Sequence, residues 1–339
     1  MQTAPLRVVV PAFRSPALIR PCLTAIHASR TTVPMEVVFV DDGANGEIAD
    51  LPYLFPGIRI VQDAPSGSAA QARNSGCQGF EGQILVFVDV DVTVHPDAIE
   101  TLTRPILEGH TDAAVGNYSR DVDGLDFAQQ YKQLYLSRVY SRTRRTLRNH
   151  FWTALGAVRA KVFVDVGRFD ESFPGALGED IEFGQRLTRA GYRVLSVPEA
   201  LARNVKPYTV GTLVANDFRK GKSMVGQYVG QKGVQLTDSQ HSKRSDILAV
   251  FLVSVACASL LVAALPWPLR PYALGGTALL SVAYLFARRE LLATFRTPGP
   301  VFLLRAISMM ALLDLVRALC VLIGIASLAR RRLFPTRDG

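Results

Sequence analysis

Gln83-Ile-Leu-Val-Phe-Val-Asp-Val-Asp91 carries five consecutive apolar residues, Ile84 to Val88, and then two carboxylates separated by one valine. A short, uninterrupted, β-branched apolar run reads as a strand buried on both faces, the habit of parallel sheets covered by helices. Glu36-Val-Val-Phe-Val-Asp-Asp-Gly43 repeats the pattern upstream, again ending in carboxylates and a glycine. Leu6 to Phe13 and Ile58 to Val61 predict two further strands, and the stretches Ser15–Ala28 and Gln71–Gly79 predict helices between them. Strands that alternate with helices and carry polar groups at their C-terminal ends predict an α/β, doubly wound, mostly parallel, Rossmann-like sheet. Its ligand crevice belongs at that edge. The first strand-to-helix turn, Pro11-Ala-Phe-Arg14, contains neither G-x-G-x-x-G nor G-x-x-x-x-G-K-[ST], which removes the main support for a dinucleotide oxidoreductase or a P-loop enzyme.

Composition separates two regions. The chain has 339 residues, a formal charge of +9 and 49% apolar residues, with a mean hydropathy of +0.18. Disorder and collagen-like repeats are excluded. Residues 246–339 hold ten basic and four acidic side chains, so two thirds of the excess charge flanks apolar runs there. The remainder is close to neutral, which argues against a nucleic-acid partner. Cys22, Cys77, Cys257 and Cys320 show no C-x-x-C spacing, so neither a disulfide framework nor a structural metal is expected.

Ile247 to Leu265 is free of charge for nineteen residues, bounded by Lys243, Arg244 and Asp246 on one side and Trp267 on the other. That length suits a membrane span with Trp267 at the interface. The expected organisation is a catalytic domain over 1–240 and a membrane domain over 246–339, with spans at about 247–266 and 271–287. The third run, 300–328, contains Arg305, Asp314 and Arg317. Either a span with an i,i+3 ion pair or an interfacial helix fits it. Lys243/Arg244 and Arg288/Arg289 on one side predict a multi-pass protein of the inner, cytoplasmic membrane with its catalytic domain in the cytoplasm. Asp126 to Asn149 reads as one long helix, aromatic in its first half and arginine-rich in its second, suited to a lipid headgroup.

Two carboxylate groups carry the chemistry. Asp89 and Asp91 leave a buried strand and offer hard oxygens to a divalent cation whose other ligands are phosphate and water. Asp121-Val-Asp123 has the same spacing but lies in a polar turn, where solvated carboxylates are expected. Glu179 and Asp180 open a helix, where they could act as caps, or as the base that takes a proton from an attacking hydroxyl.

These residues resemble the family-2 inverting glycosyltransferases of the GT-A fold. Six segments carry the resemblance in order: V-P-A-F-R at 10–14, V-D-D-G at 40–43, G-S-A-A-Q-A-R-N-S-G at 67–76, F-V-D-V-D at 87–91, F-D-E-S-F at 169–173 and G-E-D-I-E-F-G-Q-R-L at 178–187. The resemblance implies that Pro11, Ala12, Phe13, Asp41, Asp42, Arg73 and Asp89 bind the nucleotide-sugar. It also implies that Asp91, with Asp89, binds Mg²⁺ or Mn²⁺, and that Asp180 is the base with Glu179 beside it. Two departures stand out. Many relatives carry a His after the last strand where this chain has Asn204, with Lys206 as an alternative phosphate ligand. The Q-x-x-R-W motif of processive synthases is missing, which implies transfer of one sugar. The expected partners are a nucleotide-sugar donor, a lipid or glycan acceptor and the bilayer. A catalytically idle nucleotide-sugar-binding relative is the competing reading, kept open by Asn204.

Overall fold

The computed structural model describes residues 5–43, 48–62, 67–141, 145–147, 150–173, 175–176, 178–230, 244–264 and 268–333. Lys243 and Trp267, named above as flanks of the first apolar run, and Arg142, Arg144 and Arg148 of the arginine-rich stretch lie outside them. The chain divides into two compact units, one of Met1–Asp123 with Tyr140–Pro207 and one of Gly124–Val139 with Tyr208–Gly339.

The first unit opens with β1 (Leu6–Ala12), α1 (Pro16–His27), β2 (Met35–Asp41), α2 (Leu51–Leu54), β3 (Arg59–Gln62) and α3 (Ala69–Gly76). It continues with β4 (Ile84–Val88), β5 (Val92–Val94), α4 (Ala98–Leu107) and β6 (Ala113–Tyr118). After α5 (Phe127–Tyr140), which falls almost wholly in the second unit, come β7 (Arg145–Leu147), β8 (Leu155–Arg159), α6 (Ala160–Asp165), α7 (Glu179–Arg189) and β9 (Val194–Asn204). The strands form one sheet in the order β3-β2-β1-β4-β8-β6-β9-β5, with β7 also on β9. β3, β2, β1 and β4 run parallel, as expected; β1, β2 and β4 are largely buried, whereas β3, at the edge of the sheet, is half-exposed. Beyond β4 the sheet is mixed: β8 is antiparallel to β4 and β6, β9 is parallel to β6, and β5 and β7 are antiparallel to β9.

This order places the site. β1 lies between β2 and β4, so the chain reverses its direction of winding there, and the C-terminal ends of β1, β2 and β4 form the switch-point crevice. β5 pairs with β9, three positions beyond β4, so residues 89–91 cross the sheet edge between them. α3 lies tight on the sheet: a Cβ at Gly76 would stand 2.4 Å from Val9 Cγ1 and 2.9 Å from Val40 Cγ2. Behind the edge, Phe87, Phe163, Phe169 and Phe183 pack with ring centroids 4.7 to 5.7 Å apart. Such pairs add about 0.5–1.5 kcal/mol each beyond area burial.

One sequence expectation is corrected. The helix read from Asp126 to Asn149 stops at Tyr140, and 145–147 form β7 instead. Pairing with Val194–Ser196 of β9 outweighs the helical pattern of that stretch.

The second unit contains α5, α8 (Val210–Gly230), α9 (Arg244–Val262), α10 (Arg270–Ala287), α11 (Arg289–Phe295) and α12 (Pro300–Leu333). Among the described residues two windows, Ser245–Val262 in α9 and Pro300–Ser327 in α12, are long and apolar enough to cross a membrane; the stretch expected as a span at about 271–287, α10 here, is not one of them. α12 is a single helix through the run that contains Asp314 and Arg317. Their expected i,i+3 pair is present at 2.8 Å, part of a longer chain of charges. Arg288 pairs with Asp246 and at 2.6 Å with Asp314, Arg317 with Asp217 at 2.7 Å, and Tyr284 donates to Asp314 at 2.9 Å. Asp314 is fully buried, and pairing is what makes a buried charge tolerable.

Candidate active site

At the end of the crevice formed by β1 and β2, Asp41 is the last ladder residue of β2, in register with Ala12, and Asp42 follows it. The Asp42 N–H donates to Ala12 O at 2.9 Å, which joins the ends of β1 and β2. Asp41 Oδ1 accepts from Gly43 N at 3.1 Å and Asp42 Oδ1 from Gly67 N at 3.2 Å. Gly67 has φ +63°, and the open space above it is bounded by the Phe13 ring, 3.7 Å from where a Cβ would stand. Phe13 is 45% exposed, and Arg14 stacks on its face with the guanidinium carbon 5.0 Å from the ring centre. Pro11, Ala12, Phe13, Asp41 and Asp42 thus gather at one end of the crevice.

The centre is an arginine shared by two carboxylates. Arg73 on α3 is 4% exposed. Its Nη1 donates to Glu179 Oε1 at 2.7 Å and its Nη2 to Asp89 Oδ1 at 2.8 Å. Both terminal nitrogens are therefore engaged by carboxylates of the protein, and this brings the Asp89–Asp91 and Glu179–Asp180 groups together. Arg73 Nε and Glu179 Oε2 are buried without a hydrogen-bond partner among the described residues.

Asp180 follows Glu179 in the first turn of α7, which Gly178 opens at φ +96°. That backbone favours glycine and turns the chain sharply into the helix. The Ile181 N–H donates to Asp180 Oδ1 at 2.8 Å. Asp180 keeps partial exposure. Burial, and then the adjacent Glu179 charge, nevertheless push its carboxyl up to about 7, with Arg73 opposing. A carboxylate titrating near neutrality suits general-base work.

Asp91 lies where residues 89–91 meet β5. Its carbonyl accepts from Val205 N at 2.9 Å, and Asn204 is in register with Val92 beside it. Asn204 is buried, and Lys206, two residues on, is half-buried. Among the described residues no three His, Cys, Asp or Glu side chains gather as a metal site. The donor set fits a hard cation nonetheless: Asp91 and Asp89 offer carboxylate oxygens, few enough to leave positions for phosphate and water. Asp121 and Asp123 lie in an exposed turn, as expected of the second D-x-D.

Sequence reasoning gave no role to Asn74 or Glu171, although both stand inside quoted motifs. Asn74 donates to Phe169 O at 2.9 Å and Glu171 Oε1 at 2.8 Å, and accepts from Phe169 N at 3.1 Å. No local pattern reveals this pairing, because the amide and the loop it holds lie 95 residues apart in the chain.

A family model described as "Glycosyltransferase like family 2" matches residues 4–223. Glycosyltransferase GlyA of Streptococcus pneumoniae is similar over 212 residues at 29% identity, 58% of this chain and 30% of GlyA. The chain therefore spans about a third of that relative's length. Glycosyltransferase AglE of Haloferax volcanii is 27% identical over 256 residues, 73% of this chain and 79% of AglE. The solved structure of mannosyltransferase PcManGT from Pyrobaculum calidifontis, in complex with GDP-Man and Mn²⁺, superimposes with a TM-score of 0.53. The alignment is 17% identical and covers 99% of this chain and 89% of that one, a likeness of fold.

Proposed function

Since the chain belongs to the family-2-like glycosyltransferases, we propose that it is a membrane-anchored inverting enzyme that moves one sugar from a nucleotide-diphospho-sugar, UDP-linked by family default. The acceptor is a hydroxyl or phosphate of a lipid or cell-envelope glycan. The observation that carries this reading is the Arg73 bridge, which gathers a candidate base and candidate cation ligands at one sheet edge. Asp41, Asp42 and Phe13 hold the nucleoside end. Asp91 and Asp89 would hold Mg²⁺ or Mn²⁺, which when bound supplies positive charge to the leaving diphosphate. Mn²⁺ in the PcManGT complex supports that assignment.

Asp180 takes the acceptor proton as the acceptor oxygen attacks the anomeric carbon from the side opposite the diphosphate. The C–O bond to the leaving group breaks as the new one forms, so an α-linked donor yields a β-linked product. Lys206 serves the phosphates. The apolar windows of α9 and α12 support anchoring, and a lipid acceptor would then be met at the surface of the bilayer.

The test is nucleoside-diphosphate release by the detergent-solubilised protein from a panel of nucleotide sugars, with lipid extract as acceptor source. One donor should give turnover that EDTA abolishes and Mn²⁺ or Mg²⁺ restores. Asp91→Ala should lose that metal-dependent turnover, and Asp180→Asn should bind donor without turning it over. If no donor is turned over with either metal, an idle nucleotide-sugar-binding relative replaces this reading.

A further inference from the structure

We infer that Arg73 and Asn74, neighbours on α3, are positioning residues that hold the base-bearing segments 169–173 and 178–180 against the cation- and nucleotide-binding end of the crevice. The inference rests on the proposed glycosyl transfer for the chemistry it serves, though its geometry does not. Arg73 is almost wholly buried and gives one terminal nitrogen to each of two carboxylates, 16 and 106 residues away in the chain. A planar fork can span two carboxylates in one fixed geometry, and a point-charge ammonium cannot. Asp91 is two residues beyond one carboxylate and Asp180 one residue beyond the other, so this span sets the distance between leaving group and base.

Asn74 performs the matching task on the main chain. Its amide closes on both the N–H and the carbonyl of Phe169 and also reaches Glu171. Two further ties lie along the same helix edge: Ala69 N donates to Gly175 O at 2.9 Å and Ser68 Oγ to Phe173 O at 3.4 Å. These segments, and Gly175 between them, are therefore fastened to α3 at positions 169, 171, 173, 175 and 179, and α3 is itself held on β1 and β2 by the close approach at Gly76. Side chains from α3 thus stand between the donor end and the base. Displacing a reacting group by about 1 Å costs on the order of a hundredfold in rate.

The experiment compares the full chain with Arg73→Lys, Asn74→Ala, Arg73→Met, and the pair Arg73→Met with Glu179→Gln. Three quantities are read: donor affinity against kcat, amide hydrogen exchange, and Tm. Arg73→Lys and Asn74→Ala should lower kcat roughly ten- to a hundredfold while donor affinity stays within about twofold. Exchange over 169–173 and 178–180 should rise in both, with β1 and β2 unchanged. The paired variant removes a buried cation together with its buried partner Glu179 and leaves only the part-exposed Asp89, so it should regain most of the Tm that Arg73→Met loses without regaining kcat. A donor affinity that falls as far as kcat would make Arg73 a donor ligand and overturn the inference. So would unchanged exchange over 169–173 and 178–180, or a paired variant that recovers kcat. A wild-type chain that turns over no donor would sink the functional reading, while the exchange comparison would still decide whether these residues hold the two segments.

Discussion

Asp180 is the residue on which chemistry and stability oppose each other. Its carboxyl is held at about 7 by burial and by Glu179, so below neutrality it carries the proton it must lack to act as the proposed base. kcat/KM should therefore rise with pH through about 7 and level off above. A profile flat from pH 5 to 9 would remove Asp180 from the role. The stability effect has the opposite sign. The folded state binds this proton more tightly than the unfolded chain, so its stabilising contribution is complete below the ordinary carboxylate range and is lost as pH rises through 7. Asp180→Asn should accordingly leave Tm unchanged near pH 3.5 and raise it at pH 8, by a few degrees in a differential scanning measurement.

Among the elements, α3 and α12 show how packing and pairing constrain a helix. Gly76 lets α3 lie against Val9 and Val40. Gly76→Ala should therefore cost about 1–3 kcal/mol in chemical denaturation, the usual penalty of overpacking. A fully neutral outcome would mean that α3 can lift from the sheet. In the second unit, Asp314 is the buried anion between Arg288 and Arg317. Breaking a buried pair by removing one partner typically costs about 3–5 kcal/mol. Both arginines keep a second carboxylate, Asp246 or Asp217, so the loss on Asp314→Ala should fall at the lower end. Thermal unfolding in detergent reads it, and Asp314→Asn, which keeps a hydrogen-bond acceptor, should lose less.

For the whole molecule, the apolar windows of α9 and α12 and the basic flanks of residues 246–339 predict that the expressed chain stays in the membrane pellet through carbonate extraction. Release to the supernatant would leave these helices as the core of a soluble unit. The four parallel strands, the carboxylates at the ends of β2 and β4 and the helix that begins at Glu179 were legible in the sequence. Strand burial and capping are written in consecutive residues, and covalent adjacency carries a carboxylate to the edge where its strand ends. The mixed half of the sheet was not legible, because antiparallel partners such as β8 and β9 are chosen by segments far apart. β7 is the plainest case: its three residues follow a helical pattern and become a strand only because β9 offers an open edge. The grouping of 124–139 with the C-terminal helices, and the sharing of Arg73 between Asp89 and Glu179, also belong to the tertiary structure. Local pattern determined which residues face a crevice. Only the folded chain decided which charges meet there, because an ion pair is selected by distance in space, on which sequence separation places no limit.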